Sequence, residues 1–169
     1  VSDEADEQAL AELDAWSAER QPQQANDKTG MFKGKNLILI TAESFTDFAV
    51  SRTYTPTLYR LQKEGFSFSD YYNPVWGLST SDGEYLNLVG LVPEAGIWSM
   101  TESAQNALPF TLAHQFAEQG YQTKAYHDHS IEFYHRTKTH PNLGYDFDGQ
   151  GGSYEFTHTW PESDLEMVD

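Results

Sequence analysis

The sequence predicts an α/β domain whose sheet is largely parallel and flanked by helices. Three observations predict it. Residues 36–41, "NLILIT", form a continuous apolar run rich in β-branched side chains, the pattern of a strand buried on both faces. Helical stretches with proline at the start and glycine at the end recur between apolar runs. Strand-like and helix-like stretches alternate, which is how parallel strands joined by crossover helices read in sequence.

In chain order, residues 1–20 place Ala9, Leu10, Leu13 and Trp16 at helical spacing, with Asp3, Glu4, Asp6 and Glu7 near the start, where the helix dipole favours acids. "RQPQQANDKTG", residues 20–30, is polar and holds Pro22, so it reads as a linker. The domain boundary is therefore expected there, with an acidic helix and linker in 1–30 and the main domain in 31–169. The apolar run 36–41 is the first expected strand. "TPTLYRLQKEG" follows as a helix with Thr55 as N-cap, Pro56 in the first turn and Gly65 as its stop. "FSFSDYY", 66–72, alternates as a second strand would, and "SDGEYLNLVG", 81–90, reads as a short helix stopping at Gly90. "LPFTLAHQFAEQG" is a helix beginning near Pro109 and ending at Gly120, and "YQTKAYH", 121–127, is a third strand. Residues 131–138 read as a short helix, the stretch from 141 as loop, and "PESDLEMVD" as the start of another helix.

The bulk properties exclude several function classes. The chain has 169 residues, enough for one domain with a core, and is 38% hydrophobic and 14% aromatic. Its net charge of −16 argues against nucleic acid, which is bound largely through phosphate neutralisation, and against a basic membrane-surface patch. With no cysteine there is no disulfide scaffold, thiolate zinc site or thiol nucleophile. No apolar run approaches the roughly 18 residues that span a bilayer. The opening "VSDEADEQ" lacks an initiator Met, and the sequence reads as a piece of a longer protein.

Ligands of open α/β sheets bind beyond the carboxyl ends of the strands. The run 36–41 leads into Ala42, Glu43 and Ser44, and 121–127 leads into His127, Asp128 and His129. "GLSTSDGEY", 77–85, puts three consecutive hydroxyls at the mouth of a helix, whose N-terminus favours an anion or a developing alkoxide. A carboxylate, an imidazole and a hydroxyl are thus expected to meet at one edge of the sheet. Each has an ordinary reading as well. Glu43 serves equally as a solvated loop carboxylate, His127 as a hydrogen-bonded structural histidine, and Ser79, Thr80 and Ser81 as a cap with spare hydroxyls. Asp82 and Glu84 suit the helix dipole, and Arg136 suits a surface ion pair.

"KNLILITAESF", "TPTLYRLQKEGFSFSDYY", "STSDGEYLNLVGLVP" and "GYQTKAYHDHSIEFYHR" together resemble, in order and spacing, the extracellular catalytic domain of lipoteichoic acid synthases. These are phosphoglycerol transferases of the sulfatase/alkaline phosphatase superfamily. The resemblance runs over about residues 30–169, the N-terminal part of that domain, and implies a truncated piece of its fold. It implies that Glu43 and Thr80 ligate a divalent manganese or magnesium ion, and that Thr80 is the nucleophile. His127, Tyr134 and Arg136 match residues that contact the phosphoglycerol group. Tyr134 stands where the family usually has tryptophan, and Asp128 and His129 replace smaller uncharged residues, which leaves the headgroup open. The family's remaining metal ligands, an Asp–His pair, and a further substrate-binding His lie C-terminal of this region. His140 and His158 are not in that motif, so the piece is expected to be inactive alone.

The implied partners are a phospholipid headgroup and a polyol-phosphate acceptor. The implied location is the extracellular face of a bacterial membrane, with a membrane-anchored parent. Three alternatives remain open. A formylglycine sulfatase is disfavoured because Ser79 is followed by Thr80, Ser81, Asp82 and Gly83, without the Pro and Arg that its motif requires. A phosphoethanolamine transferase also uses a Thr nucleophile. A non-catalytic envelope glycolipid-binding module would make use of the aromatic content.

Overall fold

A computed structural model describes residues 2–22, 24–42, 44–73 and 77–169. The chain divides into two compact units, Val1–Leu39 and Ile40–Asp169. The first unit contains α1 (Ser2–Ala18). Its apolar residues Leu10, Leu13 and Trp16 are solvent-exposed, and the Arg20 guanidinium lies 3.9 Å from the centre of the Trp16 ring. Among the described residues no helix is long and apolar enough to cross a membrane.

The second unit carries α2 (Pro56–Glu64), α3 (Ser79–Val89), α4 (Ser99–Ser103), α5 (Leu112–Glu118), β1 (Lys124–Ser130), α6 (Arg136–Asn142), β2 (Asp146–Gln150) and α7 (Ser163–Val168). Short 3-10 turns lie at Asp47–Ala49 and Phe133–His135. β1 and β2 pair in parallel, with Lys124 opposite Asp146 and His127 opposite Gly149. The crossover between them is α6. A parallel pair requires such a connection, because a tight turn cannot return the chain to the same end of the sheet. The register slips between His127 and Ser130, a bulge at the end of the strand. Glycine is needed at 149: a Cβ there would lie 2.7 Å from the His127 carbonyl oxygen.

The α/β class with a parallel sheet and flanking helices is what the structure has, but two expected strands are not formed. Residues 36–41 belong to no strand, and Ile38 and Ile40 are 84% and 80% exposed. Residues 66–72 are also irregular, with Phe68 80% exposed. An apolar run becomes a buried strand only where neighbouring strands satisfy its backbone and cover its faces. Among the described residues the sheet consists of β1 and β2 alone. Conversely, "DFDGQ" is a strand where loop was expected. Its Asp and Gly give it poor intrinsic β propensity, and pairing with β1 overrides that.

The helices follow their signals more closely. Pro56 opens α2 and Gly65 closes it, while the Thr55 hydroxyl serves the preceding turn, accepting from Ser51 N–H at 2.7 Å and donating to Ala49 O at 2.8 Å. Gly90 ends α3 in the left-handed conformation (φ 78°), which spares it the Cβ clash that other residues suffer there. α5 starts at Leu112, later than the Pro109 signal suggests, because Thr111 takes the cap position. The fully buried Thr111 hydroxyl donates to Leu143 O at 2.7 Å and meets His114 Nδ1 at 2.9 Å. β1 begins at Lys124 and runs on to Ser130, and α6 extends to Asn142.

Tyr85 and Val89 of α3, Met100 of α4, Leu108 and Leu143 form the core, with Leu88, Trp98 and Tyr145 packed against it. α3 is thus clamped between α4, α5 and the segment that follows α6, which fixes the helix bearing the hydroxyl-rich turn. Leu143 is 1% exposed. Leu143→Ala is expected to cost about 2–5 kcal/mol in denaturant unfolding through lost burial and the cavity left behind. A loss below about 1 kcal/mol would place the core elsewhere.

Candidate functional site

The hydroxyl-rich turn forms the first turn of α3. Leu78 occupies the N-cap position with no side-chain capping bond of its own. Asp82 instead reaches back, its Oδ2 accepting the Leu78 N–H at 3.4 Å, and it is 2% exposed. The carboxylate is held where the helix dipole is positive. Ser81 is 1% exposed and accepts the Trp98 indole N–H at 2.7 Å. Thr80 is half-buried, in the first turn. Two of the hydroxyl positions differ in use: Ser81 is committed to Trp98, and Thr80 stands beside it at the positive end of the helix.

One turn further along α3, Glu84 pairs with Arg136 at the start of α6, Oε1 to Nη2 at 2.5 Å. Positions 80 and 84 are four apart and share a helix face. The side chain of Arg136 is 1% exposed and that of Glu84 12%. Arg136 also donates through Nη1 to Phe133 O at 3.3 Å, and its Cζ lies 5.3 Å from the centre of the Tyr134 ring. Its Nε is buried without a hydrogen-bond partner. Arg136 is therefore no surface ion-pair residue: it is an inward cation with one donor left over.

His127 stands on β1, 26% exposed. Burial and then the positive Arg136 guanidinium push its pKa from 6.5 to about 4, against a smaller opposing pull from Asp128. Its Nδ1 accepts the His129 backbone N–H at 2.9 Å, which assigns the proton of the neutral ring to Nε2. His127 is thus a neutral hydrogen-bond donor at Nε2. Tyr134 is half-buried in a left-handed conformation (φ 56°), as is the backbone of His135 beside it. The Tyr134 ring meets Trp98 edge-on at 5.5 Å.

Asp128 is 6% exposed and accepts the Ser163 hydroxyl at 2.8 Å, joining α7 to β1. Burial and the Asp128 charge hold the Asp164 carboxyl above its usual range. His140 is 5% exposed and is pushed down to about 3, first by burial and then by Arg136 and His127. The exposed His158 meets Glu166 instead.

The structure therefore brings His127, Tyr134 and Arg136 into one neighbourhood and ties it to the helix of Thr80. Glu43 lies outside the described residues. Among the described residues no three His, Cys, Asp or Glu side chains group closely enough to hold a metal ion. Thr80 with Glu43 would be two oxygen ligands, too few for a divalent ion, so the donors present do not fit a complete metal centre. Sequence reasoning missed two residues. Glu84 read as a complement to the dipole, though its place one turn after Thr80 was visible. Trp98 carried no signal, because its partners lie 17 residues before it and 36 residues after it.

The Sulfatase family model matches residues 35–167. The chain is 24% identical over 148 residues to the "Lipoteichoic acid synthase-like YvgJ" of Bacillus subtilis (strain 168), covering 84% of this chain and 24% of that protein. It is 27% identical over 154 residues to the "Lipoteichoic acid synthase" of Staphylococcus saprophyticus, covering 84% of this chain and 23% of that protein. The chain thus spans about a quarter of the length of these curated relatives. No solved structure gives a significant match. The chain belongs to the sulfatase family.

The state of His127 is directly measurable. Its folded pKa lies below its unfolded one, so between about 4 and 6.5 the unfolded chain binds the extra proton and stability falls as pH drops through that window. Histidine ring signals followed by NMR are expected to show His127 neutral at pH 5.5. A midpoint near 6.5 would contradict the buried, Arg136-facing position.

Proposed function

We propose that this sulfatase-family chain forms part of an enzyme that moves a phosphoglycerol headgroup from a membrane phospholipid to a polyol-phosphate acceptor, with Thr80 as nucleophile. The observation that carries the reading is the tie between α3 and the His127–Tyr134–Arg136 neighbourhood through the 2.5 Å Glu84–Arg136 pair. The names of the two relatives support the substrate class.

In this reading the Thr80 oxygen attacks phosphorus, the bond to the diacylglycerol oxygen breaks, the hydroxyl proton ends on the departing diacylglycerol, and the headgroup is carried on Thr80. An acceptor hydroxyl then attacks the same phosphorus and releases Thr80. Charge that develops on the phosphoryl oxygens meets the positive end of α3 and the field of Arg136, in the way phosphoryl transfer is generally stabilised. The neutral Nε2–H of His127 donates to the headgroup without adding charge. Tyr134 offers a ring face or edge to the glycerol carbons.

Members of this family generally use a divalent metal. Manganese or magnesium held in part by Glu43 and Thr80 belongs to the proposal, with the remaining ligands supplied from outside these 169 residues. No step above is routed through the ion, and the chain by itself is proposed to be inactive. The site of action proposed is the extracellular face of the bacterial membrane, with the parent protein anchored there.

The test is intact-mass analysis of a longer polypeptide containing residues 1–169, incubated with manganese and with vesicles of phosphatidylglycerol or of phosphatidylethanolamine. A glycerophosphoryl adduct is expected with the first lipid only and is expected to be absent in Thr80→Ala. His127→Ala should form it about tenfold more slowly, the loss of one hydrogen bond to a charged group. An adduct from phosphatidylethanolamine would change the headgroup. An adduct that survives Thr80→Ala would remove the nucleophile, and none with either lipid would favour a binding module.

A further inference from the structure

Two routes connect α3 to the turn that carries Tyr134 and Arg136. One is the Glu84–Arg136 ion pair. The other passes through Trp98, which lies outside both elements, at the N-cap of α4. Its indole Nε1 donates to Ser81 Oγ at 2.7 Å, and Ser81 is 1% exposed and adjacent to Thr80. The same ring system meets Tyr134 edge-on at 5.5 Å (interplanar angle 89°) and lies 5.5 Å from His135. Ser81 and Glu84 are three residues apart and so lie on one helix face. Ser81, Trp98, Tyr134, Arg136 and Glu84 therefore form a closed circuit through three segments that are distant in sequence.

The circuit has a mechanical consequence. Tyr134 and His135 are both left-handed (φ 56°), a conformation that costs non-glycine residues energy and persists only where the surroundings impose it. The Arg136 guanidinium lies against one side of Tyr134, and Trp98 meets both Tyr134 and His135. An indole is well suited to this place. It is broad enough to reach both residues, and its single N–H fixes its rotation by bonding a buried hydroxyl.

We propose that Trp98 is a positioning residue of the Thr80 site, its indole fixing the first turn of α3 against the Tyr134–His135 turn so that nucleophile and headgroup contacts keep one geometry. The proposal rests on the functional reading above. It also makes Trp98 a determinant of headgroup fit, since Trp98 meets the Tyr134 ring edge-on and so holds its tilt.

Two measurements test it. The first needs no activity: amide hydrogen exchange on the 169-residue chain carrying Trp98→Phe or Ser81→Ala. Ser81→Ala removes the indole–hydroxyl bond alone, and Trp98→Phe removes it together with part of the ring contact to Tyr134 and His135. Exchange is expected to quicken about tenfold at 82–84 and at 135–136 together, with amides of the β1–β2 pair unchanged. Quickening near the substituted residue alone, or uniformly across the core, overturns the proposal. The second measurement follows headgroup transfer from phosphatidylglycerol vesicles by the longer polypeptide. Trp98→Phe and Ser81→Ala should each lower kcat about tenfold with KM nearly constant, and together no further, because they break the same link. Losses that multiply, or that fall on KM alone, also overturn it. If the unsubstituted protein transfers nothing, the functional reading fails and exchange alone decides the role of Trp98.

Discussion

The buried pairing of Arg136 with Glu84 is the constraint on which the site depends. At an effective dielectric of about 20, two charges 2.5 Å apart attract by roughly 7 kcal/mol, while withdrawing each from water costs several kcal/mol. The sum is near balance, so the pair adds little net stability. What it imposes is placement, because either charge left alone in that position is strongly unfavourable. α3 can pack in the registers that bring Glu84 to Arg136, and those registers put Thr80 one turn nearer the N-terminal end on the same face. The positive charge it buries also depresses His127 and His140, so that both histidines stay neutral beside it.

This arrangement resolves a tension in the composition. A chain of net charge −16 would repel the anionic headgroup proposed for it, and its exposed basic residues do little to help. Lys28 with Asp27, Arg60 with Glu64 and Lys124 with Asp146 are solvated pairs whose attraction is screened. Arg136 differs because it is buried, so water screens its charge less than that of the surface pairs, although Glu84 offsets part of it. Among the described residues its Nε is a buried donor without an acceptor, a place that a phosphoryl oxygen would fill in the proposed reaction. Asp128, an added negative charge next to His127, is turned to Ser163, where it fastens α7 and is offset by a hydroxyl.

Local signals were legible in the sequence, and pairing over distance was not. Pro56 and Gly90 bound their helices because backbone conformation there is decided by the residue itself, and Gly65 closes α2 where a Cβ would lie 2.9 Å from Leu61 O. The same reasoning found β1 and α7. It failed at 36–41 and 66–72, whose apolar character says that they would be buried but not by what, and at 146–150, where pairing with β1 outweighs a poor propensity. The site divides in the same way. Thr80, His127, Tyr134 and Arg136 were proposed through family resemblance; Thr80 lies on α3, and Arg136 is paired to that helix through Glu84. Glu84 and Trp98 owe their place to partners 52 and 36 residues away, which no local pattern records. Glu43 lies outside the described residues.

The most direct test of this account is a double-mutant cycle on the chain, with Glu84→Gln, Arg136→Met and the two combined, read by denaturant unfolding. A buried, mutually dependent pair predicts that each single change costs about 3–5 kcal/mol and that the double change costs less than their sum by about 2–3 kcal/mol. Additive costs below about 1 kcal/mol would mean that Arg136 is solvated and that its pairing with Glu84 does not fix α3 against the His127–Arg136 segment.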